Sequence, residues 1–357
     1  MGQAVFEALS LPALVLIFLG AGAAVWIAGI YLSDTTDILS YRLGIGEALG
    51  GAILLAIVTN LPEIAITVTA SLSHNLSLAT GNILGGIAIQ TVVLVAIDGF
   101  GVRDKPLSYY AADLVLVLEG ALVIGVLGLA VMATQLPVRG TGPVDAGAVL
   151  IFLAWVAGLG LLNRAGKGLP WQEQGNAPGA QSRRNLAQVK KYQKAKERGT
   201  TTARATGVFL VASAVTLAAG VVLEETGSHI ASDMGMSGVL FGSTILAALT
   251  SLPELSTGLA SVRLGDYKLA FSDIFGGNAF LPVLFLPASI LSGSSVLPFA
   301  ASTDIYLTSL GIVLTMVYLW GLIFRPQRQF LRLGPDSAVV LAMYALGTWG
   351  LVAVARG

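Results

Sequence analysis

Two glutamates, Glu63 and Glu254, each follow a proline inside a long apolar run. The first run reads Leu55-Ala56-Ile57-Val58-Thr59-Asn60-Leu61-Pro62-Glu63 and the second Leu246-Ala247-Ala248-Leu249-Thr250-Ser251-Leu252-Pro253-Glu254, with the glutamates 191 positions apart. Proline takes an amide out of a helix, so the carbonyls four residues earlier, those of Val58 and Leu249, lose their partners. In hydrocarbon, a freed carbonyl must be satisfied by protein, water or an ion. Thr59, Asn60, Thr250 and Ser251 add oxygens within the same turn. Glu63 and Glu254 add charge, which costs at least about 2.5 kcal/mol in a span unless it is paired or wet. Carboxylates, hydroxyls and bare carbonyls together make the ligand set of a hard cation.

The next apolar segment in each half carries a second set. Asn82, Gly86 and Gln90 are spaced four apart, hence on one helix face, and Asp273, Gly277 and Leu281 are their partners 191 residues on. Gly85-Gly86 and Gly276-Gly277 leave room for a neighbouring backbone. An aspartate inside a span needs a partner or a proton, which marks Asp273.

The elements that must hold these residues are membrane helices. Of 357 residues 55% are hydrophobic and 11% charged, and the mean hydropathy is +0.81; a soluble domain does not have this composition. The net charge of +0 gives no reason to expect nucleic acid, and the lack of cysteine excludes thiolate chemistry. The amino terminus has no positive region of the kind a secretory signal needs, so the first apolar segment is expected to stay as a span. Ten segments reach the length of a span, near Leu9–Tyr31, Gly44–Leu72, Leu78–Asp98, Ala111–Met132, Val144–Asn163, Arg204–Glu225, Ser237–Val262, Leu269–Ser292, Ser302–Phe324 and Ser337–Ala355.

These divide the chain into a first half, 1–163, a basic linker, 164–203, and a second half, 204–357. The linker begins rich in glycine and proline, and its later part, Arg183 to Arg198, has the composition of a short basic surface helix. With the amino terminus outside, 18 of the 20 Lys and Arg fall in cytoplasmic loops, a strong positive-inside bias. Both termini are then outside and the linker is cytoplasmic, in contact with the lipid surface. Five spans precede the linker, so the halves enter the membrane from opposite sides. Aligned without gaps, Gly51–Gly86 and Gly242–Gly277 share 12 of 36 residues. Inverted repeats with broken helices at their interface mark secondary transporters. The expected fold is an all-α integral membrane protein of about ten helices, in two inverted five-helix repeats with proline-broken helices.

The paired Pro-Glu blocks, each followed by a glycine-bearing span, resemble the alpha repeats of the sodium/calcium exchanger family, within the cation/calcium antiporter superfamily and of prokaryotic type. The likeness covers nearly the whole chain. It implies an alternating-access antiporter whose two glutamates bind the cation at mid-membrane, with Thr and Ser oxygens before the proline and polar side chains of the third and eighth spans around it. The first and sixth spans would slide past that core. Asn278 fits the family pattern. Other positions depart from it: Asn60 stands where the family has serine, Gly86 and Gly277 replace serines, and Gln90 and Leu281 replace an asparagine or aspartate. The lost oxygens include some that the resemblance places around sodium.

Two carboxylates are neutralised by one divalent cation, two monovalent cations or two protons. The sequence therefore points to an antiporter exchanging calcium for sodium or protons in a prokaryotic cell membrane, with these cations as its partners and no cofactor. A monovalent sodium or potassium/proton antiporter and a cation channel remain as alternatives. No nucleophile–base pair or metal-hydrolase spacing suggests an enzyme. His74 and His229 are expected in external loops, and Asp34 and Glu225, also 191 apart, at the ends of the first and sixth spans. Glu119 lies inside the fourth span without an assigned role.

Overall fold

The computed structural model describes residues 6, 9–43, 50–136, 144–171, 200–235 and 241–355. The basic stretch 183–198 lies outside them. Among the described residues the regular structure is helical apart from one isolated bridge, Phe330 to Leu333.

The first half contains α1 (Leu11–Leu43), α2 (Gly50–Thr59), α3 (Leu61–Leu72), α4 (Leu76–Gly85), α5 (Ile87–Gly101), α6 (Leu107–Ala111), α7 (Leu114–Thr134) and α8 (Ala146–Gly166). The second contains α9 (Thr202–Asp233), a π-helical turn at Gly242–Leu246 leading into α10 (Ala247–Thr250), α11 (Leu252–Arg263), α12 (Tyr267–Phe280), a 3-10 turn at Leu281–Leu284, α13 (Phe285–Ser292), α14 (Ser302–Phe324) and α15 (Pro335–Val354). Eight of the described helical units are long and apolar enough to cross a membrane. A ninth is the pair Thr244–Thr250 and Leu252–Arg263, bent by 48°. Its first-half counterpart, α2 and α3, covers the second expected span in pieces of 10 and 12 residues.

Both proline helices break at the same place. Asn60 has φ −85° and ψ 18°, and Ser251, its repeat partner, φ −83° and ψ 8°. Pro62 and Pro253 then sit in the first turn of the following helix, where a missing amide is harmless. The next helix in each half starts at an equivalent cap: Asn75 accepts from the amide of Leu78 at 3.3 Å, and Asp266 from that of Leu269 at 3.2 Å.

The first and sixth spans are longer than expected. α1 has 33 residues and α9 has 32, about 50 Å each against a hydrocarbon core of about 30 Å. Asp34 and Glu225 therefore lie inside these helices, and His229 lies in α9, whereas His74 occupies the turn between α3 and α4. The polar run after Tyr31 stays helical, and within it Thr35 Oγ1 donates back to the Tyr31 carbonyl at 2.7 Å. α1 and α9 pack together along much of their length, and each also crosses to the opposite repeat, α1 against α11 and α9 against α3. Leu14, Phe18, Val25, Leu223 and Phe241 fill the space between them. The rest of the bundle shares one continuous core that includes Phe271, Phe275, Phe285 and Tyr318.

Candidate cation site

The helix breaks bring the two Pro-Glu blocks into the protein interior. Glu63 is in the first turn of α3 and Glu254 in the first turn of α11, where the helix dipole favours a carboxylate. They are 2% and 1% exposed. Gln90 Nε2 donates to Glu63 Oε1 at 3.4 Å. Glu63 Oε2 and both carboxylate oxygens of Glu254 make no hydrogen bond of normal geometry among the described residues. Glu254 is near enough to Glu63 and Asp273 for their charges to interact.

The flanking residues are tied across the repeats. Thr59 Oγ1 lies 3.0 Å from Asp273 Oδ1, and also within reach of the Leu55 and Ala56 carbonyls at 3.1 and 3.2 Å. One hydroxyl proton serves one of these acceptors fully at a time. Thr257 donates to Asp273 Oδ2 and, at 3.0 Å, reaches the Glu254 carbonyl. Asp273 thus joins a threonine of each repeat. Asn60 Nδ2 donates to the Ala56 carbonyl at 2.7 Å while its Oδ1 accepts from Gln90 Nε2 at 3.0 Å. Ser251 repeats the first of these contacts, donating to the Ala247 carbonyl at 2.7 Å, and Thr250 does so at 3.2 Å.

The remaining expected residues are placed less directly. Asn82 Nδ2 donates to the Glu63 backbone carbonyl at 2.8 Å and to Thr67 Oγ1 at 2.9 Å, so it fixes the backbone of the glutamate. Asn278 Nδ2 donates to Thr91 Oγ1 at 3.0 Å, and its Oδ1 has no hydrogen bond among the described residues. The Val58 side chain packs with Ala28, Leu32 and Ala212, and that of Leu249 lies against Gly22 of α1. No group of three or more His, Cys, Asp or Glu converges in a metal-binding arrangement among the described residues. Any cation here would take hydroxyl, amide and backbone oxygens as well as carboxylates.

Some residues escaped the sequence reading. Thr257 is one turn beyond Glu254, and that spacing was the available signal. Ser272 Oγ donates to Glu119 Oε2 at 2.5 Å, which gives the fourth-span carboxylate a partner next to Asp273 in sequence. Asp98 accepts from the amides of Leu107 at 2.7 Å and Gly334 at 2.6 Å, tying two loops together. Lys268, expected in a loop, is 9% exposed in the first turn of α12 and pairs with Asp113.

Glu63 also forms part of the lining of a cavity of about 640 Å³. Asn82 and Thr250 line it, as do Glu224 and Ser232 of α9 and Asp304 of α14. The cavity lies toward the face where α9 ends, opposite the face from which α9 leaves the linker.

The sodium/calcium exchanger protein family matches residues 13–162 and 204–354. The putative antiporter CaxA of Alkalimonas amylolytica is 27% identical over 292 residues, covering 82% of this chain and 84% of that protein. The inner membrane protein YrbG of Escherichia coli (strain K12) is 28% identical over 287 residues, covering 80% and 82%. The fold is also that of solved exchangers. The sodium-calcium exchanger NCX_Mj has a TM-score of 0.57 at 16% identity, over 93% of this chain and 96% of that one. The H+/Ca2+ exchanger CAX has a TM-score of 0.53 at 16% identity, over 99% and 92%. The family match spans both halves and stops at the linker on either side. It is a family of membrane transporters, not of enzymes. With most of its length matched in two blocks, the chain belongs to the sodium/calcium exchanger family.

Proposed function

We propose that the chain exchanges calcium for sodium or protons by alternating access at a site built around Glu63 and Glu254. The observation that carries this reading is the pair of buried glutamates with three carboxylate oxygens that make no hydrogen bond of normal geometry among the described residues. Buried carboxylates of this kind are tolerated in a membrane protein when a cation or proton compensates them. One divalent cation balances the pair, and its further ligands would come from Thr59, Thr250, Asn60, Ser251, Gln90, Asp273, Asn278 and the carbonyls of Val58 and Leu249. Asn82 supports Glu63 from behind.

Proton coupling has a specific observation in its favour. Gly86 and Gly277 bring no hydroxyl to the site, and Asn60 Oδ1 is already engaged as an acceptor from Gln90 Nε2. That leaves fewer oxygens for separate sodium ions than the exchanger pattern implies. Names of relatives point both ways, one solved neighbour being a sodium-calcium exchanger and another an H+/Ca2+ exchanger.

The halves 1–163 and 204–357 are proposed as the two inverted repeats, with 164–203 as their cytoplasmic linker and both termini outside; the bias of 18 to 2 in Lys and Arg supports this orientation. The test is flux in proteoliposomes loaded with calcium, with sodium, potassium or a pH gradient imposed outside. Glu63→Gln and Glu254→Gln are each expected to abolish exchange in a folded protein. Normal flux from either one sinks the proposal, and potassium or sodium movement without any calcium binding gives the site to monovalent ions. Flux independent of any counter-ion assigns a channel.

A further inference from the structure

The cavity that ends at Glu63 has a second carboxylate on its wall. Gly220 of α9 packs directly on Pro62: a Cβ there would lie 2.9 Å from the Pro62 Cα. Glu224, Ser228 and Ser232 follow at four-residue intervals and all line the cavity, so they form one polar stripe, each about 6 Å further along the helix than the last. Glu224 is therefore one turn from the contact that positions Glu63. Among the described residues lining the cavity are three carboxylates, Glu63, Glu224 and Asp304, and no Lys or Arg. Asp304 has a structural task, its Oδ2 accepting from the Ala301 amide at 2.9 Å as part of the α14 cap. Glu63 is nearly fully buried and lines the cavity, and its Oε2 makes no hydrogen bond of normal geometry among the described residues.

Glu224 makes no such cap contact among the described residues. The repeat architecture does not require it, since its equivalent 191 residues earlier is Ser33 of α1, a buried serine without a hydrogen bond among the described residues. The equivalent position of α1 thus carries no carboxylate, whereas Glu224 of α9 lines the cavity. A concave site lined by one sign of charge concentrates counter-ions and raises their arrival rate.

We propose that Glu224 is a docking residue for the incoming cation, holding a hydrated calcium or sodium ion on the cavity wall before it passes to Glu63. The assignment rests on the exchange reading above, and its test is chosen to be independent of transport. The chain has no cysteine, so Ser228→Cys gives a single exposed reporter one turn from Glu224. In proteoliposomes, a cationic thiosulfonate reagent should modify that thiol about tenfold faster than an anionic one of similar size. Glu224→Gln in the same background should bring the two rates close together, and calcium should slow the cationic reagent only while Glu224 is present. For transport, Glu224→Gln should raise the cation KM several-fold at this face alone, with kcat unchanged, and Glu224→Asp should restore most of it. Equal reagent rates before the substitution, or an unchanged ratio after it, overturns the assignment. If Glu63→Gln transports normally while the reagent preference holds, the exchange site is wrong and the docking residue stands.

Discussion

Gly277 lies against Asn60: a Cβ on this glycine would be 2.5 Å from Asn60 Nδ2. The asparagine cannot easily move aside, because Nδ2 holds the Ala56 carbonyl and Oδ1 holds Gln90. The asparagine before Leu61 in one repeat and the glycine in α12 of the other therefore fit against one another. The equivalent glycine, Gly86, has only the Asn82 carbonyl near it, at 3.8 Å.

This relationship predicts unequal outcomes for the same substitution. Gly277→Ser should overfill the site and cost about 1–3 kcal/mol, with loss of exchange. Asn60→Ser in the same chain should recover much of both, whereas Gly86→Ser should be close to neutral. Thermal unfolding midpoints and calcium flux on the two single variants and the double one give the coupling energy directly. Additive effects of Asn60→Ser and Gly277→Ser would rule the compensation out.

The long helices meet the broken ones through glycine in both halves. Gly29 of α1 lies on Pro253 and Gly220 of α9 on Pro62, each with a would-be Cβ 2.9 Å from a proline Cα, and the two glycines are 191 residues apart. The obstacle is backbone, so a methyl group cannot be absorbed by a side-chain rotation. Gly29→Ala and Gly220→Ala should each slow exchange at least several-fold while the cation affinity of the resting protein stays close to normal. Gly20→Ala, where no atom lies within 4 Å, is the control. Turnover equal to the control in both variants would show that α1 and α9 do not need this close passage.

The sequence exposed the parts of this molecule that rest on repetition and polarity. The Thr-x-Leu-Pro-Glu block occurs twice, so the positions of Glu63 and Glu254 could be read without coordinates. Helix ends were less legible: α1 runs on through Ser33, Asp34 and Thr35, where the Thr35 hydroxyl bonds back to the preceding turn and α9 packs alongside, neither of which a hydropathy pattern contains. Pairings across the fold were hidden altogether. Nothing in the order of residues says that Asp273 receives Thr59 and Thr257, that Ser272 reaches Glu119, or that Lys268 is buried against Asp113.

The Asp113–Lys268 pair has the behaviour of a buried ion pair to test. Asp113 also caps α7 through the Val115 amide at 2.7 Å. Its side chain is 18% exposed, and that of Lys268 is 11% exposed. Removing one partner leaves a largely desolvated charge, which costs about 3–5 kcal/mol, whereas replacing both with apolar groups can be close to neutral. Lys268→Met should therefore be markedly destabilising, and Lys268→Met with Asp113→Asn, which retains a capping oxygen, should be milder. Unfolding midpoints in one detergent decide the matter; a double variant worse than the single would contradict it.

Asp273 provides the sharpest test of how the repeats are joined. Its two oxygens meet one hydroxyl from each half, Thr59 and Thr257. Thr257→Val keeps the shape and deletes one donor, so a buried carboxylate loses part of its solvation at a cost of about 1–3 kcal/mol. Asp273→Asn places a neutral amide where Thr257 needs a weaker partner, and Thr257→Val should cost much less in that background. Calcium binding separates the two roles of the aspartate. If Asp273 serves chiefly as a bridge, Asp273→Asn keeps calcium affinity within a few-fold of the parent. If its charge is also a ligand, losing it costs about 1.4 kcal/mol for each tenfold drop in affinity. Isothermal titration on Asp273→Asn, with Glu254→Gln as the binding-deficient reference, distinguishes a bridging carboxylate from a third charged ligand.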